Sequence, residues 1–153
     1  MGAQERVVDH AALAINQASI ITLVLVAFVA DQHWLVAAVA VIMLAGTAVP
    51  ALAVFKQLYR RVLRPLKLVV PRPRQDNPEP HAFSQLLGGV FLAGSYAALW
   101  LGAPVLGWLL AGVVVALASL NLFAGFCAGC FLYYQLNRLR IPGFGHGRVP
   151  GQL

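Results

Sequence analysis

Charge is what this 153-residue chain has least of: five acids and eleven Lys and Arg make 10% charged residues against 60% hydrophobic ones. An average soluble domain carries about 25% charged and about 45–50% apolar residues. With mean hydropathy at +0.78, the solvent indicated is lipid. That excludes a disordered regulator, a nucleic-acid-binding domain and an ordinary soluble enzyme. Two cysteines cannot build a disulfide scaffold. The sequence shows no Ser-His-Asp set, no paired carboxylates, no phosphate-binding loop and no dinucleotide fingerprint. None of the five acids falls inside an apolar run, so nothing suggests a proton pump built on a buried carboxylate.

Long apolar runs are what the chain has. Ala11–Ala30, Trp34–Phe55, Ala82–Leu101 and Val105–Tyr134 hold no Asp, Glu, Lys, Arg or His over 20, 22, 20 and 30 residues. A hydrocarbon core of ~30 Å takes about 20 helical residues to cross. Runs this long fit helices, since only helices or closed barrels satisfy the backbone in lipid. The separators Asp31-Gln32-His33 and Gly102-Ala103-Pro104 are short enough to force two antiparallel hairpins. The expected fold is all-α and integral to the membrane: four transmembrane helices in one membrane domain spanning residues 1–153.

The cations fix an orientation. Arg6 precedes the first run, seven cations lie between Lys56 and Arg74, and Arg138, Arg140 and Arg148 follow the last run; the two short turns have no Lys or Arg. The positive-inside rule then puts both termini and the central loop in the cytoplasm, with the chain in a plasma membrane. The n-region is not net positive and no Ala-x-Ala site ends the first run, which argues against a cleaved signal peptide. Arg6 stands where a myristoylation site needs Ser or Thr. Phe55–Leu68 reads as a basic amphipathic helix stopped by Pro65, with Lys56, Arg60, Arg61, Arg64 and Lys67 at the membrane surface. The stretch from Pro71 to Pro80 reads as an extended linker, so that the whole linker covers about 56–80. A Gly-rich tail over 141–153 reads as disordered.

The hairpins, about 9–60 and 81–138, look like copies. Asp9-His10-Ala11 and Pro80-His81-Ala82 open them, and Lys56-Gln57-Leu58-Tyr59-Arg60 and Tyr134-Gln135-Leu136-Asn137-Arg138 close them. Copies of two crossings each point the same way, as parallel repeats do in some transporters.

Cys127 and Cys130 stand three apart near the end of the fourth run, where a continuous helix would put them on one face. In a reducing cytoplasm such a pair points to redox or metal chemistry rather than a standing structural disulfide. Cys130, nearer the cytosol, is expected to react first and Cys127 to resolve. His10 and His81 occupy matching helix starts and could complete a Cys2His2 metal site with the cysteines, or ligate a haem. No cofactor is firmly implied. Gly125 and Gly129 fit close helix packing. Asn16, Gln17, Ser19, Ser84, Gln85 and Asn121 are expected to bond between helices or line a polar path. Trp34, Trp100 and Trp108, with Asp31 and His33, suit the opposite interface.

Val8-Asp9-His10 with Asn16-Gln17, Leu58-Tyr59-Arg60-Arg61, Arg64-Pro65 and Pro71-Arg72-Pro73 resemble a bacterial family of small four-helix membrane proteins. So do Pro80-His81-Ala82-Phe83-Ser84-Gln85 and the stretch Gly125–Tyr134 with its Cys-x-Gly-Cys. The resemblance covers roughly residues 6–140, and the family is a domain of unknown function. Its association with thioredoxin-like and rhodanese-type proteins implies sulfur or thiol-redox business for Cys127 and Cys130, but no established activity. The expectation is thus a membrane thiol protein, not a stand-alone enzyme, passing electrons or sulfur to a cytosolic thioredoxin-like or rhodanese partner. An accessory subunit of a larger respiratory or photosynthetic membrane complex and a small dimeric permease are the alternatives. Each implies an oligomer or a subunit, and none involves nucleic acid.

Overall fold

The computed structural model describes residues 7–142. Arg6, Arg148, the Met1-Gly2 start and the tail from Gly143 onward lie outside them. Helix α1 runs from His10 to Val29, α2 from His33 to Ala48, α3 from Val54 to Leu58, α4 from Pro78 to Trp100, α5 from Pro104 to Ala124 and α6 from Ala128 to Arg138. The long elements form two antiparallel pairs, α1/α2 and α4/α5. They close into a four-helix bundle in which α2 packs on α4 and α1 on α5. Three of them, α1, α4 and α5, are long and apolar enough to cross a membrane.

The second apolar run departs from expectation. It ends as a helix at Ala48, because Pro50 has no N–H to donate and biases the residue before it toward extended backbone. Val49 accordingly sits at φ −129°, ψ 104°. The 16 residues of α2 reach about 24 Å, short of the ~30 Å hydrocarbon core. A short 3-10 turn (Pro50–Leu52) and α3 follow. The chain then widens into a π-type turn over Tyr59–Leu63. The expected basic helix over 55–68 is therefore a helical turn and a wide turn rather than one regular helix.

The fourth run is broken too. Gly125 takes φ +68° and caps α5, and the chain restarts as α6 at Ala128. A left-handed C-cap is the conformation that glycine adopts without a Cβ penalty. Each second helix is thus interrupted and then continued by a shorter one.

A small β ribbon adds to the helical fold. β1 (Val7–Asp9) pairs antiparallel with β2 (Pro73–Gln75), with Val8 opposite Arg74. The linker is extended at Pro73–Gln75, where it is tied to the start of α1, and it turns helical at Pro78 rather than staying extended to Pro80. Asp9 is the knot. Its carboxylate accepts from the Ala11 N–H at 2.9 Å, the Arg72 N–H at 3.1 Å and the Tyr59 hydroxyl at 2.8 Å. Burial alone would raise this carboxyl; the hydrogen bonds outweigh it and hold Asp9 below its ordinary value.

The core lies along the bundle axis, where Ile20, Val24, Val36, Val39 and Leu92 are almost fully buried. In lipid, helices associate through close packing and hydrogen bonds rather than by escape from water. Gly89 meets Leu44, and Gly107 lies against Leu99 and the Ser95 carbonyl, so tightly that a Cβ at either position would clash. Ser95 donates to the Gly107 carbonyl at 2.7 Å, joining α4 to α5. The outward faces are apolar: Val29, Phe123, Leu101 and Trp100 are each at least three-quarters exposed. At the far end Trp34 and Trp100 face outward, while Trp108 packs on Phe28 and near His33.

Candidate functional site

The near end of the bundle gathers the starts of α1 and α4, the end of α5 and the start of α6. Cys127 is not inside a helix, as a continuous fourth helix would require. It is the N-cap of α6 at φ −92°, ψ 102°, and its Sγ accepts the Cys130 N–H at 3.2 Å. The sulfur does the work that a Ser or Asp oxygen does at other N-caps. Cys130 sits one turn in and is buried, whereas Cys127 is half-buried. Their Cα atoms are 5.2 Å apart and the sulfurs are paired as a disulfide.

Gly129 sets the distance from α6 to α4. A Cβ there would come 2.8 Å from Ser84 Cα, so no side chain fits without moving a helix. This approach brings Ser84 Oγ to 3.5 Å from Cys127 Sγ. Of the two glycines read as packing residues, Gly129 packs and Gly125 bends the chain.

His81, in the first turn of α4, connects the thiol pair to an acid. Its Nδ1 lies 3.5 Å from Cys130 Sγ and its Nε2 lies 2.7 Å from Asp76 Oδ2. The same oxygen meets His10 Nε2 at 3.2 Å, and Asp76 Oδ1 accepts the Asn77 N–H at 2.7 Å. The Asp76 side chain is only 3% exposed. Burial pushes its carboxyl up. The hydrogen bond and charge of His81, then the Asn77 N–H and His10, more than offset this, so the group lies below its ordinary value and is ionised at neutral pH. A carboxylate only accepts hydrogen bonds, so neutral His81 carries its proton on Nε2. That leaves the Nδ1 lone pair facing Cys130.

The candidate ligands separate at this point. His81, Cys127 and Cys130 bring their ligand atoms within 4.8 Å of one another. His10 stays outside that trio. Its ring centre is 6.1 Å from that of His81, edge to face, and both Nε2 atoms converge on Asp76 instead of facing each other across a gap. Two thiolates and an imidazole are a donor set that zinc or copper(I) accepts, but only with the disulfide reduced, since metal ligands must be thiolates. Among the surface cations, Arg60, Arg61, Arg64 and Lys67 are exposed. Lys56 is half-buried, and burial beside Arg60 lowers its ammonium from the usual value.

Asp76 is the residue that sequence reasoning missed. In Gln75-Asp76-Asn77-Pro78 it reads as linker. Its signal was scarcity: it is one of five acids, set five residues before a helix-start histidine. The polar residues also divide. Gln85 bonds across to the Met43 carbonyl at 3.2 Å, as expected of interhelical glue, while Ser19 turns back to its own helix at Ile15. Asn16, Gln17 and Asn121 line a cavity, and no side-chain hydrogen bond joins them to another of the described residues.

Two cavities meet at Cys127. One, of about 180 Å³, reaches into the bundle and is mostly apolar. The other, of about 330 Å³, opens at the polar end and is bordered by His10, Arg74, Asp76, Cys130 and Tyr134. Cys127 and His81 border both; Cys130 borders only the second.

Fold and site together define a mostly helical, membrane-type bundle carrying a vicinal cysteine pair at its polar end. The chain belongs to the family described as domain of unknown function DUF4395, which it matches over residues 8–138. No curated protein and no solved structure matches it significantly.

Proposed function

We propose that this is a membrane dithiol–disulfide exchange protein in which Cys127 is the exchanging sulfur and Cys130 the resolving one. The observation that carries the reading is the Cys127 N-cap of α6. The N-terminal end of a helix favours an anion, and thiols placed there lose their protons more readily. This reverses the order expected from distance along the chain, because Cys127 is the more exposed sulfur and Cys130 is buried one turn inside. In the reduced protein the Cys127 thiolate attacks a partner disulfide, a mixed S–S bond forms and one partner thiolate leaves. Cys130 gives its proton to His81 Nδ1 and attacks Cys127 Sγ. The mixed bond breaks, the second partner thiolate leaves, and the Cys127–Cys130 disulfide is formed. The partner has gained the two electrons that the pair has lost. Run backwards, the same steps accept electrons from a partner dithiol.

The partner approaches through the polar cavity. Its acidic and basic border and its access to both sulfurs suit a soluble thiol protein of thioredoxin-like or rhodanese type. We further infer four crossings in two like-oriented hairpins, with both termini and the thiol site on the cytoplasmic side of a bacterial inner membrane. The support is that the cations between Lys56 and Arg74, with Arg138 and Arg140, all belong to the end where the site lies. Tilt or local thinning of the bilayer accommodates the short α2.

The test uses the reduced full-length protein in lipid nanodiscs and a water-soluble aromatic disulfide. Cys130→Ser is expected to hold one aromatic thiol per chain as a stable mixed disulfide on Cys127, seen by mass spectrometry. Wild type passes through that species to the internal disulfide, and Cys127→Ser forms no adduct at a comparable rate. Equal reactivity of the two cysteines, or none at Cys127, would overturn the assignment.

A further inference from the structure

We propose that the inner cavity binds the headgroup of a lipid-soluble quinone, which takes the two electrons held by the Cys127/Cys130 dithiol. The inference rests on the thiol-exchange reading and names its second substrate. Three observations carry it.

The first is a group of amides at the cavity wall. Asn16 is 5% exposed, lies about 9 Å along α1 from His10 and borders the cavity. Among the described residues no side-chain hydrogen bond engages it. The Asn16 amide keeps some accessible surface toward this space, so a water or a ligand held there can partner it. Gln17 and Asn121, from α1 and α5, border the same space. The three amides offer N–H donors, which carbonyl oxygens on a ring would accept.

The second is the mouth. Phe91, Val113, Leu117 and Leu132 border the cavity and are also 37–45% exposed on the outer surface of the bundle. An entrance rimmed by apolar side chains on a membrane-type helix bundle admits molecules dissolved in lipid rather than in water. The volume suits one ring. An apolar cavity of about 150 Å³ is enough to hold benzene, and this one is about 180 Å³.

The third is where the cavity ends. Its lining includes Cys127 but not Cys130, so a bound ring meets the sulfur assigned to exchange. Cys127 also faces the polar cavity. The thiol partner and the lipid-borne oxidant therefore reach one sulfur through two adjoining cavities. The chemistry balances. Two S–H bonds break and one S–S bond forms in the protein, while the quinone takes two electrons and two protons to become the hydroquinone. The Cys130 proton leaves through His81.

The experiment mixes the reduced full-length protein in nanodiscs with a benzoquinone carrying a ten-carbon tail and follows quinone absorbance together with disulfide formation by alkylation. One quinone is expected to be consumed per disulfide formed, at a rate that saturates with quinone. Asn16→Leu should raise the half-saturating concentration about tenfold, the worth of one hydrogen bond. Ala118→Leu fills the cavity without altering an amide and should raise it at least as much. Each rate is taken relative to the same variant's reaction with the aromatic disulfide, which corrects for any loss of folded protein. A quinone reaction that stays linear in concentration, or that ignores both substitutions, overturns this proposal while the disulfide reaction still stands. Loss of both reactions in wild type overturns the thiol reading itself.

Discussion

Replacing Asp76 by Asn tests the relay from acid to imidazole to thiol with a change of one atom. The Asn77 N–H can still be accepted by the amide oxygen, which keeps the 2.7 Å bond at that side. The amide nitrogen is then left toward His81 Nε2, where a carboxylate oxygen stood at 2.7 Å. Two N–H donors cannot face each other, so His81 moves its proton to Nδ1 and presents a donor to Cys130 instead of a lone pair. Cys130 loses its base while Cys127, served by the α6 N-terminus, keeps its activation. General-base assistance contributes about 10²–10⁴-fold, so resolution should slow by roughly 100-fold or more while the first attack changes by less than about threefold. Stopped-flow release of an aromatic thiol separates the two: the first equivalent appears at the wild-type rate and the second lags. Mass spectrometry should show the mixed disulfide on Cys127 accumulating. Asp76→Asn releasing both equivalents at wild-type rates would refute the relay.

Three further outcomes follow from the same geometry. Gly129→Ala places a Cβ against Ser84 and should cost about 1–3 kcal/mol, typical of overpacking; a thermal midpoint in detergent equal to wild type would show that α6 does not lie against α4. Tyr59→Phe removes a buried hydroxyl bonded to the Asp9 carboxylate and should cost about 1.5–3 kcal/mol, the range for hydrogen bonds to charged groups; an unchanged midpoint counts against the Asp9 knot. Because the folded protein lowers Asp9 from its ordinary 3.8, the stability it adds is complete above that value and lost as pH falls through the lower folded one. The gap in stability between wild type and Asp9→Asn should therefore hold steady above about pH 5 and close below pH 4; a gap that persists unchanged to pH 3 would contradict the shift.

How much of this was legible in the residues follows from the range of each interaction. Composition, run length and the placement of eleven cations are sums over many residues, and they fixed an all-helical, membrane-type chain of paired hairpins. The cysteine pair and the two helix-start histidines were legible as well, since few other residues here carry chemistry. Pro50 marked the end of α2 through its missing N–H, although run length alone carried the helix on to Phe55. Gly125 read as a packing residue, and only its backbone at φ +68° showed that it ends a helix.

Tertiary structure alone decided what lies beside what. Breaking the helix at Gly125 turned Cys127 from a side chain on a helix face into an N-cap, and so changed which sulfur is poised to react. Pairing β1 with β2 drew the linker back onto the bundle and carried Asp76 from a solvated stretch to a buried place between two histidines, 66 and 5 residues away in sequence. No local pattern encodes such a meeting, because it depends on how four helices and a ribbon close together. The same holds for Asn16: its amide is plain in the sequence, but the cavity it faces exists only between packed helices.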